Sequence, residues 1–476
     1  MNKPIVRKSD HERGMILVVA TIVVIAMLIM ATPFLAKLGS QYRITDKSYK
    51  GLAAFNLAEE GIDRALWEMN QPYAVTGGIV SIDETGNGTL VATNEAVGDK
   101  TGTFQGTITT NLGTDPDTDP DTRTIASTGS MPHIANLLVD RTVSVNLEKY
   151  FKSIWDFGIF GDEGIYGRNN ISPVDSFDSR KGAYGASLPG GGVNEGDQGH
   201  MGTNANEDGA IEIGSASIIH GNLAAGVGTN VDEIDNVIQV DPDYLTGEKR
   251  ILSAPFELPP VNIYDLPPRP MFGTTYDFST WFTSEPSIDG PLLSSQIAVG
   301  MNKGAMTDTT LTPADSGVYT NWSMTGKTVT VTGNVAIYLT GLDGAEASFY
   351  GKNSNINIAA NSSLTLILGN TSWKVDNNFD FNNAGKAENF VILGTQQFDG
   401  EFSFRNNDTV VAAIYVPNAT YVNRNNLHLY GALHCDYLDL RDNIDIHYDE
   451  ALGDLDYIKG GIAYWRVTTW QEPLGD

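Results

Sequence analysis

The sequence is poor in cysteine and in basic residues, and each shortage argues against a class of protein. The 476 residues include a single cysteine, Cys435, which excludes an intramolecular disulfide scaffold and a cysteine-based zinc cluster. Lysine and arginine number 30 against 58 aspartates and glutamates, so the formal net charge is −28. Because affinity for nucleic-acid phosphates comes from clustered Lys and Arg, we expect no nucleic-acid partner.

Charged residues of either sign are scarce, at 18% of the chain, whereas there are 50 glycines and 20 prolines. This composition predicts turns and β-structure rather than long solvated helices. The charge is also unevenly spread. The first 50 residues carry eight bases and three acids, so the other 426 hold 22 bases and 55 acids, a net of −33. A basic head on an acidic body indicates that the two parts meet different surroundings.

Residues 15–36 form a long apolar run that only Thr21, Thr32 and Pro33 interrupt. As a helix, 22 residues extend about 33 Å, close to the hydrocarbon thickness of a bilayer. The run therefore predicts a single membrane-spanning helix in contact with lipid, in which Pro33 bends the helix without ending it. Its anchor residues are Met15, Val19, Val24, Leu28 and Pro33.

Basic residues before the run predict its orientation. Arg7, Lys8 and Arg13 precede it. The short N-terminus is therefore expected to stay cytoplasmic, and the chain after residue 40 to be exported across the inner (cell) membrane. The alternative is an ordinary secretory signal peptide, cleaved near residues 31–33.

The junction Arg13-Gly14 lies directly before the apolar run and resembles the leader junction of type IV prepilins. With residues 40–43 and the helix-forming segment 51–66, it is similar to the N-terminal domain of PilX-like pilus assembly proteins. The resemblance implies that a prepilin peptidase cuts after Gly14, that Met15 becomes a methylated N-terminus, and that other pilins are partners. In the family a glutamate at the fifth position after the glycine docks subunits; here that position is Val19.

Residues 41–69 have the pattern of an amphipathic helix, with apolar side chains at three- and four-residue spacing. This stripe packs either on the next domain or against other subunits. Its members are Ala54, Leu57, Ala58, Ile62, Ala65, Leu66 and Met69.

Residues 71–150 alternate between polar and apolar side chains and predict a small antiparallel β head. The expected strands lie at 78–82, 89–92, 104–108, 123–127 and 141–147. Between them, four carboxylates at alternate positions, Asp115, Asp117, Asp119 and Asp121, are calcium candidates, since calcium takes closely spaced oxygen ligands. The spacing does not match an EF-hand, and the alternative is a solvated acidic loop.

The C-terminal half predicts a right-handed parallel β-helix, or solenoid, over residues 151–460. Two series of short strands interleave and recur every 17 to 27 residues, and 17 of the 91 residues from 353 to 443 are asparagine, which favours left-handed corners. A proline-rich excursion at about 241–325 is expected to lie over the outside of this core. The alternative is an antiparallel β-sandwich. The two series are 355–358, 378–381, 401–404, 421–422 and 436–440, and 364–368, 390–393, 410–414, 429–433 and 444–447.

The segments 412–419, 429–433 and 446–452 are similar to the uncharacterised β-helical domain found after PilX-like segments in bacterial envelope proteins. That resemblance implies an assembly or surface role and no reaction.

The chemistry-bearing residues of this half form no recognised catalytic motif. The candidates are Asp436, Asp439, Asp442 and Asp445 beside Arg441, and His428, His434 and His447, which have no close metal-ligand spacing. We therefore expect no catalytic residues, no enzyme activity, no metal and no cofactor, and we expect Cys435 to be a core side chain.

The predicted fold combines α+β and all-β parts. It comprises a leader (1–14), a pilin-like helix (15–70), the β head (71–150), the β-helix (151–460) and a C-terminal tail (461–476). The predicted function is that of a minor pilin or pilus assembly and adhesion protein that displays an acidic solenoid. The alternatives are a membrane-anchored protein that binds or degrades surface polysaccharide, and a tethered envelope protein that never polymerises.

Overall fold

The computed structural model describes most of the chain. The described residues are 10–71, 75, 78–82, 87–97, 100–111, 122–132, 137–151, 153–168, 171–214, 217–263, 266, 278–284, 291–298, 305–306, 309–382, 386–455 and 463–471. They form two compact units: residues 1–68, 77–148 and 466–476 belong to the first, and 69–76 and 149–465 to the second.

The first unit begins with α1 (Asp10–Met69), one continuous helix of 60 residues that runs through Pro33. Its strands form one sheet in the order β1-β2-β3-β4-β5-β29, in which β1 to β5 pair antiparallel. The antiparallel head predicted from alternation is confirmed by the register of β1 to β5. The strands are β1 (Val80–Ile82), β2 (Gly88–Val97), β3 (Lys100–Asn111), β4 (Thr122–Pro132), β5 (Leu138–Phe151) and β29 (Ala463–Gln471). The segment predicted as a tail thus contains a strand of this sheet.

The second unit contains short strands that pair almost entirely in parallel, which is not the pairing of an antiparallel sandwich. The strands are β6 (Ile159–Arg168), β7 (Ile171–Phe177), β8 (Met201–Thr203), β9 (Ile211–Ile213), β10 (Leu223–Ala225), β11 (Ile238–Gln239), β12 (Lys249–Ile251), β13 (Ala305–Met306), β14 (Thr310–Leu311), β15 (Gly317–Tyr319), β16 (Asn321–Thr325), β17 (Thr328–Val331), β18 (Asn334–Leu339), β19 (Ala347–Lys352), β20 (Asn355–Ile358), β21 (Ser363–Leu368), β22 (Thr371–Asp376), β23 (Asp380–Asn382), β24 (Phe390–Gly394), β25 (Glu401–Arg405), β26 (Asp408–Arg424), β27 (Leu427–Arg441) and β28 (Ile444–Asp449).

The helical segments of the second unit are short. They are α2 (Ile234–Val237) and 3-10 turns at Val231–Glu233, Pro242–Tyr244, Phe278–Trp281, Ser294–Gln296, Pro313–Asp315, Ala387–Asn389 and Glu450–Asp454.

The parallel strands form three ladders. Ladder 1 runs β15-β18-β21-β24-β26-β27-β6-β8-β10-β12. Ladder 2 runs β14-β17-β20-β23-β26-β27-β28-β7. Ladder 3 contains β13-β16-β19-β22 and β25-β26-β27-β6-β9-β11. The long strands β26, β27 and β6 bend and serve more than one ladder.

The two-series interpretation of the sequence is therefore wrong in its grouping, because three ladders interleave. The segment 355–358 pairs with β23 in ladder 2, whereas 401–404 of the same series belongs to ladder 3. Hydrophobic alternation marks a strand but does not say which neighbour it pairs with.

The chain enters these ladders in the middle. Strand β6 pairs with β8 and β9 on one side and with β27, which lies more than 250 residues later in the chain, on the other. The main core lies inside the ladders, where apolar side chains of successive strands stack, as Phe349 and Trp373 do with ring centroids 4.1 Å apart. A second apolar cluster covers the outer face of ladder 1 and includes Trp281, Phe282 and Leu292 from the proline-rich segment, with Tyr338 and Leu393.

Candidate functional site

The first half of α1 exposes an almost continuous apolar surface. By length and composition, the stretch 17–69 contains the one helix among the described residues that is able to cross a membrane. Apolar side chains along it are about half or more exposed, so their burial needs an environment that the described part of the chain does not supply. They are Leu17, Val18, Val19, Ile22, Val23, Val24, Ile25, Met27, Leu28, Ile29, Met30, Phe34, Leu35 and Leu38.

The second half of α1 packs on the antiparallel sheet through the predicted stripe. Ala54, Leu57, Ala58, Ile62, Ala65 and Met69 are buried, and Leu66 is half-buried. These buried side chains form the helix–sheet contact. Each Å² of apolar surface removed from water stabilises it by about 25 cal/mol.

Glycines bring the helix and the sheet close together. A Cβ atom on Gly129 of β4 would lie 1.9 Å from the carbonyl oxygen of Ala54, and one on Gly61 of α1 would lie 2.8 Å from the ring of Phe104. A side chain at either place would push the two layers apart. At the end of the helix, the buried Glu68 carboxylate accepts hydrogen bonds from the backbone N–H groups of Ile79 (2.8 Å) and Val80 (2.9 Å).

The predicted processing residues Gly14 and Met15 lie within α1. Of the anchor residues, Val19, Val24 and Leu28 are exposed, and Pro33 lies inside the continuous helix. The four calcium candidates, Asp115, Asp117, Asp119 and Asp121, lie outside the described residues.

Asparagine corners join ladder 3 to ladder 2 in the second unit. The pairs 377–378, 406–407 and 425–426, and the pair Asp442 and Asn443, all have positive φ. The sequence prediction of left-handed asparagine corners is confirmed, since Asn tolerates this region better than other residues with a side chain.

The asparagine side chains bond from one corner to the next, in two columns. In the outer column Asn407 donates to Asn378 (3.4 Å), Asn426 to Asn407 (2.6 Å), and Asn443 to Asn426 (3.0 Å). In the inner column Asn406 donates to Asn377 (2.6 Å) and Asn425 donates to Asn406 (2.8 Å). Each corner is thereby tied to its neighbours by side chains as well as by backbone.

The acidic candidates of β27 and β28 do not converge on one point. Asp439 pairs with Arg441, and Asp442 turns a corner. Asp445 pairs with His428, whose Nδ1 lies 2.8 Å from its Oδ2. Burial and the nearby Glu163 and Asp162 carboxylates raise the pKa of Asp436.

The three histidine candidates also lie apart. His434 is fully buried, and burial lowers the pKa of its imidazole to about 4, so the ring is neutral and its Nε2 donates to the carbonyl oxygen of Phe157 (2.8 Å). His447 is buried against Asp175, with Nδ1 2.6 Å from Oδ1. Among the described residues no group of three His, Cys, Asp or Glu side chains is placed to hold a metal ion. Cys435 is buried, and burial raises the pKa of its thiol, which disfavours the nucleophilic thiolate.

Two polar arrangements were missed by the sequence reasoning. The hydroxyl of Tyr184 donates a hydrogen bond to Asp175 (2.6 Å), and the ring centroids of Tyr184 and His447 lie 3.8 Å apart. These two contacts hold the loop between β7 and β8 against the outer side of ladder 2. The partners His447 and Asp175 are 272 residues apart, so no local pattern connects them.

The second missed group is Asp408, whose carboxylate is buried at a corner. Its Oδ1 accepts from the N–H of Phe379 (2.7 Å) and its Oδ2 from the N–H of Arg405 (2.8 Å). Burial nevertheless raises the pKa of Asp408 to about 7. Asn-Asn-Asp at a predicted corner was the signal available in the sequence.

An open acidic cavity of about 480 Å³ lies beside β6. It is lined by Asp162, Glu163, Asn204, Ala205, Glu207 and Tyr437. Asn204 donates to the carboxylate of Asp162 at 2.6 Å, so part of this acidity is already satisfied within the chain.

Comparison with known proteins gives a family match and matches among solved structures. Residues 281–455 match a family model described as a domain of unknown function (DUF7305). Among solved structures, a match is the competence-associated pilin ComZ from Thermus thermophilus, with 13% identity over 89% of this chain and 98% of that chain, and a TM-score of 0.30. A TM-score of that size does not establish a shared fold. No curated protein sequence matches.

Proposed function

We propose that this chain is a pilin-like protein that is anchored in the cell membrane by α1 and carries its β-rich body outside the cytoplasm. The observation that supports it best is the division of α1 into an exposed apolar half and a half that packs on the antiparallel sheet. A helix of this kind holds a folded head at a fixed distance from the bilayer or from a bundle of similar helices. Lipid and other pilins or pilus assembly proteins are accordingly its partners.

The finer features of the N-terminus belong to this proposal. A prepilin peptidase cuts after Gly14, and Met15 becomes the methylated N-terminus. Residues 1–14 are then the leader, and the short N-terminal segment is cytoplasmic because it is basic.

We infer that residues 151–460 form a right-handed parallel β-helix. Three parallel ladders, buried side chains that stack between rungs, and left-handed corners at regular places support this architecture. The body is acidic and repetitive, which suits display and adhesion as a minor pilin or pilus assembly protein.

We propose further that the chain catalyses no reaction and needs no metal or cofactor. In its support, Asp439 and Asp445 are each paired with one basic side chain, and Asp408 with backbone N–H groups. Chelation with EDTA is expected to leave the thermal unfolding temperature of the full chain unchanged. A fall of several degrees that calcium alone restores would refute this part and would direct attention to residues 115–121.

Mass spectrometry of the mature N-terminus tests the pilin route. The membrane-extracted chain is expected to begin at residue 15 with a methylated amino group. Gly14→Val should keep residues 1–14. Gly39→Val is the control in the same helix and should be processed normally, because a Cβ on Gly39 meets nothing within 4 Å.

Three results would contradict the proposal: an intact Met1 in the unsubstituted chain, cleavage near residue 32, or equal loss of processing in both variants. Polymerisation is tested separately by shearing cells. A chain that is processed but never found in the sheared filament fraction acts in the membrane as an assembly factor.

A further inference from the structure

One triplet of the body recurs in a way that its architecture alone does not require. Arg-Asn-Asn stands at residues 168–170, 405–407 and 424–426, and Arg441 begins the variant Arg-Asp-Asn. Asn406, Asn407, Asn425, Asn426 and Asp442 turn corners. The arginines are the last residues of β6, β25, β26 and β27. The arginines therefore need a separate explanation.

The strand register places these arginines in a single row across ladder 3. Arg405 pairs with Arg424, and Arg441 with Arg168. Strand β26 lies beside β27 with Val422 opposite Asp439, so the same register, two residues on, places Arg424 beside Arg441. Neighbouring strands lie about 4.8 Å apart, so four guanidinium groups extend over about 14 Å.

The row faces outward. In the same strands Phe404 and Leu440 alternate with the arginines and are buried. The side chains of Arg424 and Arg441 are 46% and 44% exposed. We name the side chains of Arg168, Arg405, Arg424 and Arg441 the arginine row.

Acidic neighbours hold the arginine row without neutralising it. Glu401 lies 3.1 Å from Arg405 and 3.6 Å from Arg424, and Asp439 pairs with Arg441. Arg168 donates from Nε to the hydroxyl of Tyr166 (2.7 Å). Each guanidinium has five N–H donors in a flat fork, more than these contacts use.

The strip carries an excess of positive charge in a strongly acidic body. At one end of the row Asp376 lies 4.0 Å from Arg405 and 3.1 Å from Lys374, and Lys352 is the next residue in register. With Asp442 at the corner after Arg441 and Glu212 in register with Tyr166, six bases thus face five acids, a net of +1, in a chain whose formal net charge is −28.

The outer asparagine column runs beside the arginine row. Asn407 and Asn426 each use one amide hydrogen for the bond to the preceding corner, and each amide nitrogen has two. The strip therefore offers guanidinium forks that match carboxylates and, beside them, amide groups that match hydroxyls.

We propose that the arginine row and the outer asparagine column bind an acidic polysaccharide whose sugars carry carboxylate groups, and that the polymer lies across the strands. Carboxylates lie on the arginines, and sugar hydroxyls on the asparagine amides. This inference deepens the display role proposed above, because it names what the displayed body holds.

Charge density favours this occupant over DNA. Duplex DNA carries one negative charge per about 1.7 Å of helix axis, a higher linear charge density than the one guanidinium per about 4.8 Å along the row. An acidic body repels such a polymer more strongly than one with a single charge per sugar.

Binding of fluorescent polygalacturonate oligomers to the full chain in detergent micelles tests the proposal. Arg424→Gln and Arg168→Gln should each weaken binding about fivefold, and together about 25-fold, since each removes one exposed ionic contact. Arg250→Gln is the matched control, because Arg250 pairs with Glu248 and is 43% exposed but lies on β12, outside the row. Fully methyl-esterified polygalacturonate should bind at least tenfold more weakly than the free acid.

Four results would overturn the proposal. They are no binding by the unsubstituted chain, equal weakening by the control, equal binding of the esterified polymer, or binding of single-stranded DNA of similar length with the same affinity and the same loss in Arg424→Gln. Thermal unfolding of each variant checks that it is folded. If glycan binding fails while residue 15 is still the mature N-terminus, only this inference is refuted.

Discussion

Replacement of Asp408 by asparagine is predicted to change the stability of the second unit with opposite signs at low and high pH. The Asp408 carboxyl group is fully buried, and its pKa is raised to about 7 from an ordinary value of 3.8. The folded form therefore prefers the protonated acid, while the unfolded chain ionises near pH 4. The free energy of unfolding that this group contributes is fully present below pH 4 and is lost as the pH rises toward 7.

The size of the effect follows from the shift. A difference of about 3 pKa units corresponds to about 4 kcal/mol at 1.36 kcal/mol per unit. Asparagine does not titrate, but its NH2 group faces one of the two N–H donors, from Phe379 or Arg405, and the lost hydrogen bond costs about 2 kcal/mol. About 1 kcal/mol of the contribution is already lost at pH 4.5, so Asp408→Asn should be about 1 kcal/mol less stable than the unsubstituted chain at pH 4.5 and about 2 kcal/mol more stable at pH 8.5.

Urea unfolding of the full chain in detergent, followed by tryptophan emission at both pH values, measures this difference. Asp399→Asn is the control, because it removes an exposed carboxylate from the same unit. If Asp408→Asn is destabilising at both pH values, and more so at pH 8.5, the two N–H bonds outweigh burial and the reasoning is refuted.

Two further substitutions test the packing of each unit. Gly129→Ala should lower the stability of the first unit by about 3 kcal/mol, because its Cβ would lie 1.9 Å from the Ala54 carbonyl oxygen. Hydrogen exchange of α1 residues 50–69 should then speed up. Unchanged exchange would contradict the close helix–sheet contact. Asn426→Ala removes the hydrogen bonds to Asn407 and Asn443 and places alanine in the left-handed region, so it should lower the stability measured by thermal unfolding by about 2 kcal/mol. Asn426→Gly should lower the stability less, because glycine adopts that region freely. Equal losses of stability would show that the backbone conformation contributes nothing.

Features with a local cause could be predicted from the sequence. The apolar run, the stripe from Ala54 to Met69 and the left-handed asparagine corners each depend on residues that are close in the chain. The head strands followed from simple alternation for the same reason. Even the arginine row leaves a sequence trace, since the triplet repeats.

Features that depend on register could not be predicted. Alternation does not distinguish three ladders from two series, because every strand in them has a buried and an exposed face. The contact of His447 with Asp175, and the bond from the Phe379 N–H group to the buried Asp408, arise only once distant strands are aligned. Strand β29 reads as a short isolated segment, and only its neighbour β5 places it in the sheet.

The entry of the chain into the middle of its ladders has a consequence for biosynthesis. Strand β6 emerges early and is able to pair with β8, but its other edge is completed only when β27 has been made, after 274 more residues between Ile159 and Leu433. At about 10 residues per second this edge waits roughly half a minute. The order of synthesis therefore leaves one edge of β6 unpaired during translation. Either a chaperone shields that edge, or the whole body folds only after translation ends.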